Sequence, residues 1–485
     1  MKKIIYSFLL CSAALLVSCG KDDSDEAILN YTTDQTLGIV KINLEQLDGK
    51  LPKKEMMNDQ SGNFSKEEKE KMALLMNAKD NGIDIAKPVY LVADQENNGF
   101  VFSMFCWLDN SSKFESNFSK ITGSKIRIDK TKNLVYANNQ LVGSVKDEML
   151  VMSRFMSNPY GGSVRPAGDA MPEKFFTDLW NRKSLANEGK VEQITKSLGN
   201  KSDASMWLNL HGIISVASRG YIESLAINKL LIDAGIGFDM NFGEGDITFN
   251  SNTFFNKDLQ KEITKYYNGK SADYSIVKSI DLDKAKSYAV GYMSFEFMQS
   301  MMKQAGFEAI ANNYLAERNI TMADITAGLN GSYAYASLME DNTATDEMDP
   351  YAYKMPKTIF ALGINGSKAD KLINLINSEP MLNTYAKMYH DKNVMVFGTD
   401  ENDLALLKAG KSAANTTLKK KSDVVGYSWA GGDDVNVALN SQNRKVKVVN
   451  MESTYKVKDG NFTSETTVKL DKKDKNAIHY LLGYE

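Results

Sequence analysis

"TLGIVKINLEQL", residues 36–47, decides how the chain is read, because it comes back as "SYAVGYMSFEFM" at 287–298. In each stretch an apolar strand-like run leads directly into a helix start. Four more pairs follow in the same order. "GFVFSMFCWLDNSSKFESNFSKI" (99–121) matches "KTIFALGINGSKADKLINLI" (357–376), each an apolar strand, an Asn/Ser/Gly turn and a helix. "KDEMLVMS" (146–153) matches "HDKNVMVFG" (390–398), and "SDASMWLNL" (202–210) matches "SDVVGYSWA" (422–430). Finally "DMNFGEGDITFNSNTFF" (239–255) matches "STYKVKDGNFTSETTVKL" (453–470). In both members of this last pair a glycine after an acid, Gly245 or Gly460, divides two alternating strands, as a hairpin turn requires. Strand–turn–helix units are common, so one match carries little weight. Five in one order point to two tandem homologous halves, about 30–268 and about 276–485, joined near "YYNGKSADYS" (266–275). Identity between the halves is low, and shared chemistry is not implied.

Local patterns mix helix and strand. "SKEEKEKMALLMNAKDNG" (65–82) opens with the capping box Ser65/Glu68 and stops at Gly82. In "NSSKFESNFSKI", Phe114, Phe118 and Ile121 recur at helical spacing. "IISVASRGYIESLAINKLLIDAG" (213–235) predicts one long helix ending at Gly235, and "DKKDKNAIHYLLGYE" (471–485) predicts a helix capped by Asp471. Ile247 and Phe249 fall on one face of a half-buried hairpin. There is no regular alternation of strand and helix. The fold class is therefore α+β, each half an antiparallel sheet backed by helices.

The start of the chain carries an address. Lys2 and Lys3 precede an apolar segment, Ile4–Val17, too short to span a bilayer as an ordinary helix and suited to a signal peptide over 1–18. It closes on "LVSC" (16–19), which resembles the lipobox of bacterial lipoproteins. That likeness implies that Cys19 becomes the first mature residue and carries lipid, with several acyl chains anchoring where one would not. Removing 1–18 takes two lysines and no acid, so formal charge moves from −3 to −5. Then comes "GKDDSDE". Lys21, Asp22, Asp23, Asp25 and Glu26 form a run expected to be solvated and extended, an acidic tether over 19–29. It resembles the export signal of surface-exposed Bacteroidota lipoproteins, which implies a lipid-anchored protein on the outer face of the outer membrane.

Lipobox, acidic run and repeated blocks together make the chain similar to a family of Bacteroidota lipoproteins known only as a domain of unknown function. The blocks that carry this likeness are "LGIVKINLEQL" (37–47), "NGIDIAKPVYLVAD" (81–94) and the strand–helix unit after it. The resemblance covers most of 30–485. It implies fold and location and brings no catalytic residues with it.

The chemistry the residues offer is thin. Length suggests roughly two to four domains. Net charge is −3 without a dominant basic patch, which argues against a nucleic-acid partner. Three cysteines, Cys11, Cys19 and Cys106, cannot build a disulfide framework, and Cys106 reads as a buried thiol. His211, His390 and His479 are scattered and lack ligand spacing, so no metal or cofactor is called for. The acidic loop 341–350 misses the calcium-loop pattern, with Thr343 and Thr345 where acids are needed. "GGDDVN" (431–436) reads as a helix start. No nucleophile elbow or phosphate loop is present. Trp107, Trp180, Trp207 and Trp429 read as core residues, Trp429 aligning near Trp207. The reading is a non-enzymatic surface lipoprotein that binds a ligand, an envelope partner or a glycan. The alternative is a surface glycan hydrolase whose paired carboxylates the sequence does not locate.

Overall fold

In the computed structural model, the described residues are 24–57, 71, 81–96, 99–157, 171–182, 188–199, 201–338, 357–379, 386–399, 401–416, 418–432, 435 and 446–482. The expected signal peptide, Cys19, Lys21, Asp22, Asp23, most of the expected 65–82 helix and the 341–350 loop lie outside them, as do residues 433, 434 and 436 of the 431–436 stretch. The chain forms two compact units. One takes the chain up to Arg219, Asp233–Phe254 and Lys473 onward; the other takes Gly220–Ile232 and Phe255–Lys472.

The strands of the first unit are β1 (Thr36–Ile42), β2 (Val89–Glu96), β3 (Gly99–Trp107), β4 (Ile126–Asp129), β5 (Leu134–Ala137), β6 (Gln140–Lys146), β7 (Met149–Ser157), β8 (Ala204–Asn209), β9 (Gly235–Phe242) and β10 (Asp246–Phe254). They pair in the order β4–β5–β6–β7–β3–β2–β1–β8–β9–β10, always antiparallel. Those of the second are β11 (Ala285–Tyr292), β12 (Leu329–Leu338), β13 (Thr358–Ile364), β14 (Lys387–His390), β15 (Val394–Gly398), β16 (Gly426–Gly431), β17 (Val448–Lys458) and β18 (Asn461–Leu470). Their order is β14–β15–β13–β12–β11–β16–β17–β18, also antiparallel throughout. Apart from the extra hairpin β4–β5, the two orders coincide strand for strand.

The register coincides as well. In the first unit one rung runs Trp207–Ile39–Val92–Ser103–Ser153 across five strands. In the second it runs Tyr427–Val290–Ala334–Ala361–Val396. All ten side chains are buried. Ile39 and Val290, Trp207 and Tyr427, and Ser103 and Ala361 are the residues the repeated stretches equate. The large aromatic at the end of the rung is thus Trp207 in one unit and Tyr427 in the other. Trp429 lies two residues further on, half-buried and stacked on Tyr288 with ring centres 5.5 Å apart.

Strands lead into helices where the patterns place them. Asn43, Asn110, Asn209 and Ser294 stand at the starts of Leu44–Asp48, Ser111–Thr122, Leu210–Ala217 and Phe295–Gln304. The side chains of the last three accept a backbone N–H of the first turn, which satisfies one of the donors a helix start leaves unpaired. Phe114 is fully buried and stacks on Phe118 at 4.9 Å. Both hairpins form, with Gly245 at φ 71° and Gly460 at φ 72°.

Three expectations need correction. The stretch 213–235 is not one helix. Leu210–Ala217 ends where Arg219 and Gly220 take φ of 53° and 78°, a left-handed pair that no continuous helix holds. Short turns at Tyr221–Ser224 and Asn228–Leu231 follow, and Gly235 opens β9. The last helix is Ala477–Leu481, capped by Asn476 rather than Asp471, because the Asn476 side chain accepts Ile478 N–H while donating to Phe242 O at 2.7 Å. These bonds assign the C-terminal segment to the first unit. Lys257–Tyr267 belongs to the second, where Leu259, Ile263 and Tyr267 are buried beside Phe297 and Phe462.

The third correction concerns the acidic run. Ser24–Leu29 is a helix, and Ile28 is fully buried in the core with Ile39, Tyr90 and Trp207. The cause is Lys41, which β1 directs onto the core face. Its ammonium donates to Asp25 Oδ2 at 2.8 Å and to Leu198 O at 3.1 Å, while Tyr90 Oη donates to Asp25 Oδ1 at 2.6 Å. Lys41 is only 5% exposed. A buried ammonium stripped of its anion is costly, so Asp25→Ala should lower stability by about 3 kcal/mol in urea titration. Adding Lys41→Met, which removes the stranded charge at similar length, should restore much of it. Equal stability of wild type and Asp25→Ala would show that the pair holds nothing.

Candidate functional site

The second unit uses both faces of its sheet. One carries Val290, Ala334, Ala361, Val396 and Tyr427 into the main core. On the other, Leu362, Met395 and Phe397 pack with the helices Met322–Gly328 and Asp370–Ser378, and Tyr292 packs with Lys257–Tyr267 and Phe295–Gln304. A pocket of about 360 Å³ opens on this second face. That volume is at the small end for a ligand site.

The pocket is built from a single rung, Tyr333–Gly291–Gly426–Tyr455, one residue along from the buried rung and therefore pointing the opposite way. The two central strands both have glycine here. A Cβ on Gly291 would stand 2.7–2.8 Å from two ring carbons and the hydroxyl of Tyr333, so that side chain lies over the backbone of β11. A Cβ on Gly426 would meet the Tyr455 side chain at 3.3–3.7 Å. The glycines let two tyrosines settle onto the sheet, where side chains would hold them off. In the first unit the same rung is Leu91–Val40–Met206–Phe238, with the central positions filled.

Phe360, Tyr267, Tyr292 and Phe462 complete the aromatic walls. Tyr267 meets Tyr292 and Phe462 edge to face at 5.7 and 5.4 Å. Gly331, at φ 91°, sits in an irregular turn of β12 where a Cβ would meet the Tyr292 ring at 2.4 Å. Lys270 Nζ lies 5.4 Å from the centre of that ring. Burial raises the Tyr267 and Tyr333 hydroxyls above their ordinary pKa, so both stay protonated at neutral pH. Among the described residues, the hydroxyls of Tyr292, Tyr333 and Tyr455 have no hydrogen-bond partner. Among the described residues, no Asp, Glu, His or Cys lines the pocket.

A second, polar pocket of about 620 Å³ carries Asp273 and Asp391 beside Lys278, Lys408 and Lys411. Both acids are occupied by their own turns. Asp273 accepts Ser275 N and Oγ, and Asp391 accepts Asn393 N and Val394 N.

The residues singled out in the sequence lie elsewhere. Asp25 and Glu26 are on the first helix, Asp25 bonded to Lys41. His211 opens a helix, His390 ends β14 and His479 lies on the last helix. Cys106, Trp107 and Trp207 are buried. Trp180 is half-buried and donates from Nε1 to Ser144 Oγ at 2.9 Å. The tyrosine pocket was not foreseen, yet the aligned stretches held its signal: Val40 faces Gly291 and Met206 faces Gly426. No family model matches the chain, and neither does any curated protein or solved structure.

Truncation should separate wall from scaffold. Tyr267 is 8% exposed, and Tyr267→Ala should cost about 3–5 kcal/mol of stability. Tyr455 is 42% exposed, and Tyr455→Ala should stay within about 1 kcal/mol in the same urea titration.

Proposed function

We propose that the chain is a lipid-anchored surface protein of two units descended from one duplicated ancestor, the second of which binds a ligand without transforming it. The observation that carries the binding role is the tyrosine pocket: an aromatic recess over a double-glycine rung which, among the described residues, has unpartnered hydroxyls and no acid, base or nucleophile stronger than a neutral phenol. The shared strand order and buried rung support duplication, since register alone would not bring the same aligned residues together. "LVSC" and the acids after it support the anchor and the outward address. A glycan hydrolase has less to stand on. Among the described residues the aromatic pocket has no carboxylate, and those of the polar pocket are tied into turns.

Incubation of the purified chain with oligosaccharides should leave them intact by mass spectrometry; cleavage abolished by a carboxylate substitution would overturn the non-catalytic reading. For the address, Cys19→Ala should abolish lipid labelling and release the protein from membranes. Asp22→Asn with Asp23→Asn should keep the anchor but lose sensitivity to added protease on intact cells. Asp25 must be left alone in that test, because its loss disturbs the fold. Unchanged protease sensitivity would reduce the acids to a spacer.

A further inference from the structure

Resting on the reading of the second unit as a binding module, we propose that its tyrosine pocket takes a neutral carbohydrate ring, laid against Tyr333 and Tyr455 over the Gly291–Gly426 rung. Three observations lead there. First, the aromatic surface is made, not incidental: two adjacent strands give up their side chains at one rung, and the flanking tyrosines lie across the gap. A strand-interior glycine weakens a sheet and commonly marks close approach of another group. Here two occur side by side, and the matching rung of the first unit has neither.

Second, the walls combine aromatic faces with hydroxyl groups. A pyranose has the complementary surface, an apolar C–H face bordered by hydroxyls that need partners when buried. The hydroxyls of Tyr292, Tyr333 and Tyr455 can each donate and accept. A purely apolar ligand would leave them unpaired.

Third, charge argues for neutrality. None of the described residues that line the recess is ionised, so a carboxylate or phosphate would be desolvated without compensation. Aromatic cages do attract quaternary ammonium ions. Here the Lys270 ammonium already lies near the Tyr292 ring and repels a second cation.

The test uses the full mature chain, solubilised in a detergent without sugar headgroups. Saturation-transfer NMR is run with the methyl glycosides of glucose, galactose, mannose and N-acetylglucosamine, and separately with tetramethylammonium chloride. At least one glycoside should receive saturation. Affinity should fall by about tenfold or more in Tyr455→Ala. It should fall likewise in Gly426→Met, which fills the rung as Met206 does in the first unit. Gly426 is chosen because an added Cβ there meets only a movable side chain. Absence of transfer to every glycoside, undiminished transfer in both variants, or transfer to tetramethylammonium alone would overturn the proposal. Hydrolysis of a bound glycoside would overturn the non-catalytic reading and leave the ligand class standing.

Discussion

Everything in each unit hangs on a central strand paired on both sides, β1 in one and β11 in the other. Such a strand has no freedom of register. A slip of one residue would turn Ile39 or Val290 outward and bring its neighbour in. The neighbour of Ile39 on the core side is Lys41, two residues on, and it is tolerated only because Asp25 reaches it. The neighbour of Val290 on the other face is Gly291, which opens the pocket. Core, N-terminal helix and recess are therefore consequences of one alignment of strands.

Two units with the same strand order have been finished differently. The first adds the hairpin β4–β5, gathers its N- and C-terminal segments onto itself and fills its second-face rung with Val40 and Met206. The second packs helices on that face and seats Tyr333 and Tyr455 over the glycines. The buried rung keeps a branched aliphatic at its centre, Ile39 or Val290, and a large aromatic beside it, Trp207 or Tyr427, in both units, while the opposite rung carries Val40 and Met206 in one and the two glycines beneath the tyrosine pocket in the other.

Much of this was legible in the sequence, for identifiable reasons. Strands and hairpins were readable because alternation and turn glycines act locally, as around Gly245 and Gly460. The break after Ala217 was missed because the Arg219–Gly220 pair lies within an apolar run long enough to read as one helix. The extended tether was misread because acidity was weighed and Lys41 was not; a lysine on the core face of a strand demands a distant carboxylate that no local pattern names. The pocket was hidden for a different reason. Gly291 and Gly426 are 135 positions apart in the chain and become neighbours only through the pairing of β11 with β16.

The docked helix at Ser24–Leu29 also bears on the proposed anchor. Were the chain attached through Cys19, five residues would separate that point from the first described residue, Ser24, a reach of at most about 18 Å, against about 40 Å for the span to residue 30. An attachment that short would hold the first unit near the lipid headgroups, and release of Asp25 from Lys41 would lengthen it by the helix.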